Sequence, residues 1–250
     1  MADDLRRAFE FMARGDIGGL RAERTRFGTL HSDPRYPLRW DSNYLVVDRL
    51  DDISPDELEA DVERAQAAAG FDHRSILLRD VDTADRLEPA FVALGWKAHR
   101  GLVMALRRPP EKQADTSLAV EVELDDLHAA RRAAMPPWGE IETRDQMIDA
   151  KHGIAERVLV RCFAVMVDGE PVSYTDLYQD AGIAQVEDVA TLEAYRGHGY
   201  ASAVVLRAVA AAREAGAELI FLVTDEDDWP RELYGRLGFD VIGGYAKFRR

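Results

Sequence analysis

The chain has 250 residues, with 46 Asp and Glu against 32 Lys and Arg and a formal net charge of −14. That balance argues against broad binding to nucleic acid or an anionic membrane, since both repel it. It suits a cationic amine as partner, and it equally suits a surface that only keeps the protein soluble. With 47% hydrophobic residues the length fits one large or two small domains. No apolar run reaches about 18 residues, so no transmembrane helix is expected. The start Met-Ala-Asp-Asp-Leu-Arg-Arg lacks the apolar stretch of a signal peptide, and a cytoplasmic location is expected. Cys162, the single cysteine, rules out an intrachain disulfide. It lies in the apolar run Val158–Val167, which favours a buried thiol over a nucleophile.

In chain order, the apolar run Asn43–Asp48 predicts a strand, Ser54–Ala69 a helix, Ser75–Arg79 a strand, Thr83–Leu94 a helix and Trp96–Arg107 a strand. The polar segment from Arg107 to Asp115 carries Pro109-Pro110, which cannot continue a strand interior, and predicts a linker. It divides the chain into 1–108, a connection at 109–115, and 116–250. Beyond it the predicted strands are Ser117–Glu123, Val158–Val167, Val172–Tyr178 and Ile183–Leu192, with helices over Asp125–Ala134 and Thr143–Arg157. The series closes with a helix over Tyr200–Ala215, a strand over Leu219–Val223, a helix over Trp229–Leu237 and a strand over Phe239–Phe248. Asp168-Gly169-Glu170-Pro171 predicts a hairpin turn.

The most informative stretch is Arg196-Gly197-His198-Gly199-Tyr200-Ala201, between the strand Ile183–Leu192 and a helix. Helix first-turn N–H groups lack intrahelical partners and face outward with partial positive charge, so such a junction suits an anion. Neither the Gly-Lys-Ser/Thr of a nucleotide-binding loop nor the spacing of a dinucleotide fold is present. The pattern Arg-x-x-Gly-x-Ala resembles the pyrophosphate loop of the GNAT acetyltransferase superfamily. Downstream, Leu233-Tyr234-Gly235-Arg236-Leu237-Gly238-Phe239 resembles that family's Leu-Tyr-x-x-x-Gly-Phe segment. The two motifs, in this order around an apolar strand, extend the resemblance over residues 116–250.

The resemblance implies an α/β fold with a mixed, mostly antiparallel central sheet flanked by helices. It also implies an N-acetyltransferase that moves an acetyl group from acetyl-CoA directly to a primary amine of a small molecule or peptide. Its cofactor contacts would fall on Val189, Ala190 and Thr191 of the preceding strand, on Arg196, Gly197, His198, Gly199, Tyr200 and Ala201, and on Asp227, where many relatives carry Asn. Tyr234 falls at the family's general acid. Glu187 and Asp188 are both candidate bases, with water a further possibility; neighbours on a strand point to opposite faces, so only one is expected to reach the acceptor. Trp138 and Glu140, in the connection that borders the family's acceptor pocket, are candidate substrate contacts. No metal site is expected, because the histidines lack ligand spacing. A sensor or scaffold that binds acyl-CoA without turnover is the alternative, with a monomer or homodimer expected in either case.

The first half echoes the second. Gly70 matches Gly216 and Gly95 matches Gly238, 146 and 143 residues apart, and Leu94-Gly95-Trp96 matches Leu237-Gly238-Phe239. This predicts a tandem protein whose first copy is truncated and chemically degenerate. No glycine lies between Val47 and Gly70; Ser54, Pro55 and Glu57 predict a capping box there. Asp51, Asp52, Asp56 and Glu57 would repel a pyrophosphate, and Phe91 stands where the second copy has Tyr234.

Overall fold

The computed structural model describes residues 2–14, 20–49, 53–135 and 141–250. The first half supplies α1 (Ala2–Arg14), β1 (Arg21–Arg24), β2 (Gly28–Ser32), β3 (Tyr44–Val47), α2 (Pro55–Ala68), β4 (Ser75–Leu78), α3 (Val81–Ala93) and β5 (Lys97–Leu106). The second supplies β6 (Ala119–Val122), α4 (His128–Ala134), α5 (Ile141–Ala155), β7 (Leu159–Val167), β8 (Glu170–Asp180) and β9 (Ile183–Thr191). It ends with α6 (Tyr200–Glu214), β10 (Leu219–Asp225), α7 (Pro230–Arg236) and β11 (Phe239–Arg249). Among the described residues no helix is long and apolar enough to cross a membrane.

All eleven strands join one sheet in the order β1-β2-β3-β4-β11-β5-β10-β9-β8-β7-β6. Two pairs are parallel, β3 with β4 and β9 with β10, one in each half. The last strands are exchanged: β5 lies between β10 and β11, and β11 lies between β4 and β5. The connection at 109–115 therefore does not divide the sheet. Each core is completed by the other half. Phe248 of β11 stacks on Phe91 of α3 at 5.0 Å, beside Leu45 and Leu58. Leu102 and Met104 of β5 pack with Val205, Tyr234 and Phe239. Phe91 is fully buried, so the residue at the tyrosine's position in the first half is a packing residue.

Helices α1, α4 and α5 cover one face; α2, α3, α6 and α7 cover the other. The sequence reading had no place for α1, β1 or β2. Yet Ala8, Phe9, Phe11 and Met12 of α1 are buried, and Phe11 meets Phe221 edge-on at 5.8 Å. Their helical spacing is an amphipathic signal that the motifs overshadowed.

Candidate active site

The two parallel strands of the second half separate. β9 and β10 pair only from Ile183/Leu219 to Val186/Leu222, while β9 runs on to Thr191 and β10 to Asp225. A bulge marks the parting point: Tyr174 of β8 pairs with Ala190 but Asp176 pairs with Glu187, leaving one extra residue on β9. Asp188 occupies the left-handed region there at φ 54°. Asp is among the few side chains that tolerate it, and a bulge bends its strand. Beyond the bulge, Leu192 N–H donates to the Val172 carbonyl of β8 at 2.9 Å. Strand alternation then turns the N–H groups of Thr191 and Val189 toward the gap that β10 leaves.

At the end of β9 the chain turns through Arg196–Gly199 into α6. Gly199 is the N-cap at φ 79°, Gly197 has φ 81°, and no side chain caps the helix. A Cβ at either glycine would meet nothing within 4 Å. Positive φ, rather than crowding by the chain, is what requires glycine here. Arg196 Nε donates to the Thr191 carbonyl at 3.3 Å, and His198 stacks on Tyr200 at 5.5 Å. An open cleft between two strands, ending at an uncapped helix N-terminus with an exposed guanidinium, fits a thioester arm with a pyrophosphate at its far end. Ala201 follows in the first turn of α6.

Tyr234 is buried on α7, against Phe239. Burial, followed by the charges of Glu187, Asp228 and Asp188, pushes its hydroxyl above the usual tyrosine range, so it keeps its proton at neutral pH. Trp229 occupies the N-cap position of α7 without a side-chain capping bond and Pro230 opens the helix, close to the start predicted at Trp229. Asp227 is exposed in a shallow depression beside this helix. Trp138 and Glu140 lie outside the described residues.

Glu187 and Asp188 require a correction: they do not point to opposite faces. Glu187 pairs with Asp176 across the ladder and accepts from Gln185 Nε2 at 2.5 Å. Asp188, turned by the bulge, reaches the same side and joins Asp176 in a buried ion cluster. Arg131 of α4 bridges the two carboxylates, 2.5 Å from Asp176 Oδ1, and Lys151 of α5 lies 3.1 Å from Asp176 Oδ2 and 3.4 Å from Asp188 Oδ2. Lys151 Nζ also donates to Tyr178 Oη at 2.8 Å. Two cations thus meet two carboxylates, with Arg131 1% and Asp176 0% exposed. Although burial opposes it, Lys151 and Arg131 hold the Asp176 carboxyl below the usual range. Cys162 lies beneath, its Sγ 3.4 Å from Asp176; burial pushes its thiol up, which disfavours a thiolate nucleophile.

Sequence reasoning missed this cluster because its members are scattered from 131 to 188. Its one signal was Asp176 between Tyr174 and Tyr178, a carboxylate on the buried side of an apolar strand, which demands a partner.

A mixed sheet that splays after a bulge, with a glycine-capped helix at the mouth and helices on both faces, is the arrangement expected of the GNAT fold. Residues 124–239 match the family described as acetyltransferase (GNAT). The chain is 23% identical over 212 residues to an uncharacterized N-acetyltransferase, CgeE, of Bacillus subtilis, covering 82% of this chain and 72% of that one. Among solved structures, a functionally unknown conserved protein of Staphylococcus epidermidis superposes with a TM-score of 0.74 at 17% identity, covering 94% of both chains. A GCN5-related N-acetyltransferase of Kribbella flavida gives 0.64 at 19% over 99% of this chain and 94% of that one. A tandem GNAT protein from the clavulanic acid biosynthesis pathway gives 0.55 at 13% over 100% and 95%. At these identities the likeness is one of fold, and eleven strands fit a tandem.

Proposed function

We propose that the chain is an N-acetyltransferase with one working site, in the second half, that uses acetyl-CoA and acetylates a primary amine. The observation that carries this reading is the parting of β9 from β10 beside a buried, protonated Tyr234. Acetyl-CoA bound in that gap supplies an acyl group activated as a thioester. The N–H groups at the start of α6, with Arg196, hold the pyrophosphate. Val189 N–H donates to the thioester carbonyl oxygen. Tyr234 holds the proton for the departing sulfur. Asp188 is committed to two cations, whereas Glu187 accepts from a neutral amide; Glu187 is therefore the better group to take the proton of the incoming ammonium, directly or through water.

The test is free-thiol release from acetyl-CoA across a panel of amines. Amine-dependent release with one acetylated product supports the reading. Tight CoA binding without release on any amine favours a scaffold.

A further inference from the structure

The register of β9 decides which of its N–H groups the gap receives. Up to Glu187, opposite Asp176, its pairing with β8 is regular; beyond the bulge Ala190 is opposite Tyr174 and Thr191 opposite Ser173, one residue out of step. Without the bulge, Val189 would be opposite Tyr174 and Thr191 opposite Val172. Alternate N–H groups of a strand point to opposite sides, so a slip of one residue exchanges them. Leu192 N–H, which donates to the Val172 carbonyl at 2.9 Å, would give up that bond to Thr191 N–H. Val189 N–H would be taken into the β8 ladder, and Ala190 N–H would face the gap instead. The donor proposed for the thioester carbonyl therefore exists only in the bulged register.

The bulge needs something to hold it. Asp188 sits at φ 54°, in a region that most L-residues avoid, and the extra residue has no partner in the ladder. Its side chain supplies the hold in two ways. In the bulged register the carboxylate accepts from Arg131, and Lys151 Nζ lies 3.4 Å away. In the unbulged register strand alternation would place it beside Val186, on the face where Val186 packs with Leu222 and Val205. A carboxylate there would be set among apolar side chains, with both cations on the opposite face. The neighbours follow the bulge: Val189 packs in that apolar layer, and Ala190 packs with Tyr174 on the other face. The cations are themselves fixed. Arg131 lies 2.5 Å from Asp176, and Lys151 lies 3.1 Å from Asp176 and 2.8 Å from the Tyr178 hydroxyl. They belong to α4, α5 and the regular part of β8, and Asp188 is drawn to them. Arg131 is buried, so it acts through Asp188 rather than on a ligand.

We infer that Arg131 and Asp188 are positioning residues: their ion pair locks β9 in the bulged register, and that register opens Val189 N–H to the gap. Lys151 supports the lock from α5. The inference rests on the transferase reading for what Val189 N–H binds, and on strand register and charge pairing for the lock itself. It gives Asp188 a role other than that of base. The carboxylate fixes the direction of a donor and takes no proton.

Amide hydrogen exchange on the full chain without ligand reads the register directly. In the wild type Val189 N–H, facing the gap, should exchange about tenfold or more faster than Ala190 N–H, facing β8. Asp188→Val should invert that order, because a β-branched residue resists the left-handed region and suits the apolar layer beside Val186. Adding Arg131→Met to Asp188→Val removes the cation left over; it should recover stability and leave the order inverted, which separates positioning from support of the fold. Asp188→Asn keeps a residue that tolerates positive φ but loses the ion pair. It should narrow the exchange difference and lower kcat about tenfold, with CoA affinity within a factor of about two and the acidic limb of the pH profile in place. The proposal is overturned if the wild type lacks the expected order, if either variant keeps the wild-type order undiminished, or if the order inverts with kcat unchanged. Loss of the acidic limb in Asp188→Asn would make Asp188 the base and overturn it as well. If the order inverts as expected but the wild type neither binds acetyl-CoA nor releases thiol, the lock stands and the transferase reading falls.

Discussion

The chain contains two parallel strand pairs, each followed by a helix, and they differ where chemistry would occur. In the first half, β3 and β4 stay paired to their ends, Val47 with Leu78. In the second, β9 leaves β10 after Val186. The first pair leads to α2, opened by Pro55 with Asp56 and Glu57 in its first turn. The second leads to α6, opened by Gly199 with no acid there. An acidic first turn satisfies a helix dipole by itself, whereas a bare one leaves the positive end for a ligand. One scaffold can therefore be a wall or a site, depending on a one-residue bulge and the composition of one helical turn.

Removing the anchor of the bulge breaks the comparison most severely. Arg131 and Lys151 are held by Asp176 and Asp188. Asp176→Ala should cost roughly 3–5 kcal/mol in urea unfolding, because it strands buried cations. The loss depends on pH with a definite sign. The folded carboxyl titrates below its ordinary 3.8, so its stabilisation is complete above that value and fades as pH falls. The difference between wild type and variant should be largest at neutral pH and shrink below about pH 4. A constant difference down to strong acid would mean that Asp176 acts by shape alone.

Next in size is the exchange of ring for hydroxyl. Tyr234→Phe should lower kcat about a hundredfold while CoA affinity stays within a factor of about two. The reciprocal Phe91→Tyr should bring no activity, since Phe91 is sealed between Trp96 and Phe248. Unchanged turnover in Tyr234→Phe would take the tyrosine out of the mechanism.

The glycine cap comes third. Gly199→Ala forces a Cβ into the left-handed region at a cost of about 1–2 kcal/mol. Nothing in the chain blocks the methyl group, so the variant should fold and show its defect as weaker CoA binding. Titration of the wild type should give one CoA per chain. Two equivalent sites would erase the contrast between the halves.

Most of the fold was legible because its signals are local. Apolar runs gave the strands around 160–190, and glycines closed the helices at Gly70, Gly95, Gly216 and Gly238, all with positive φ. The glycine turn that opens α6 was legible for the same reason. Long-range pairing was not. Nothing in β5 announces that it lies between β10 and β11, and so nothing placed Asp41 beside Lys247 and Arg249, more than 200 residues away. Alternation failed at Glu187 and Asp188 because it assumes an unbulged strand; the bulge is a property of the β8 partner as much as of β9.

The smallest effect tests the sequence reading of α2. Ser54, Pro55 and Glu57 spell a capping box, and a serine cap is ordinarily worth about 1 kcal/mol. In the structure Ser54 has the extended backbone of an N-cap, but its side chain makes no capping hydrogen bond, and Glu57 pairs with Arg26 at 2.7 Å. The box is present as spelling and absent as geometry, because Arg26, in the turn between β1 and β2, draws Glu57 away. Ser54→Ala should therefore change stability by less than about 0.5 kcal/mol in urea unfolding. A loss near the ordinary value would mean that the box closes in solution. α2 would then have its N–H groups filled by its own side chains, and the first half would be closed to a pyrophosphate by hydrogen bonding as well as by charge.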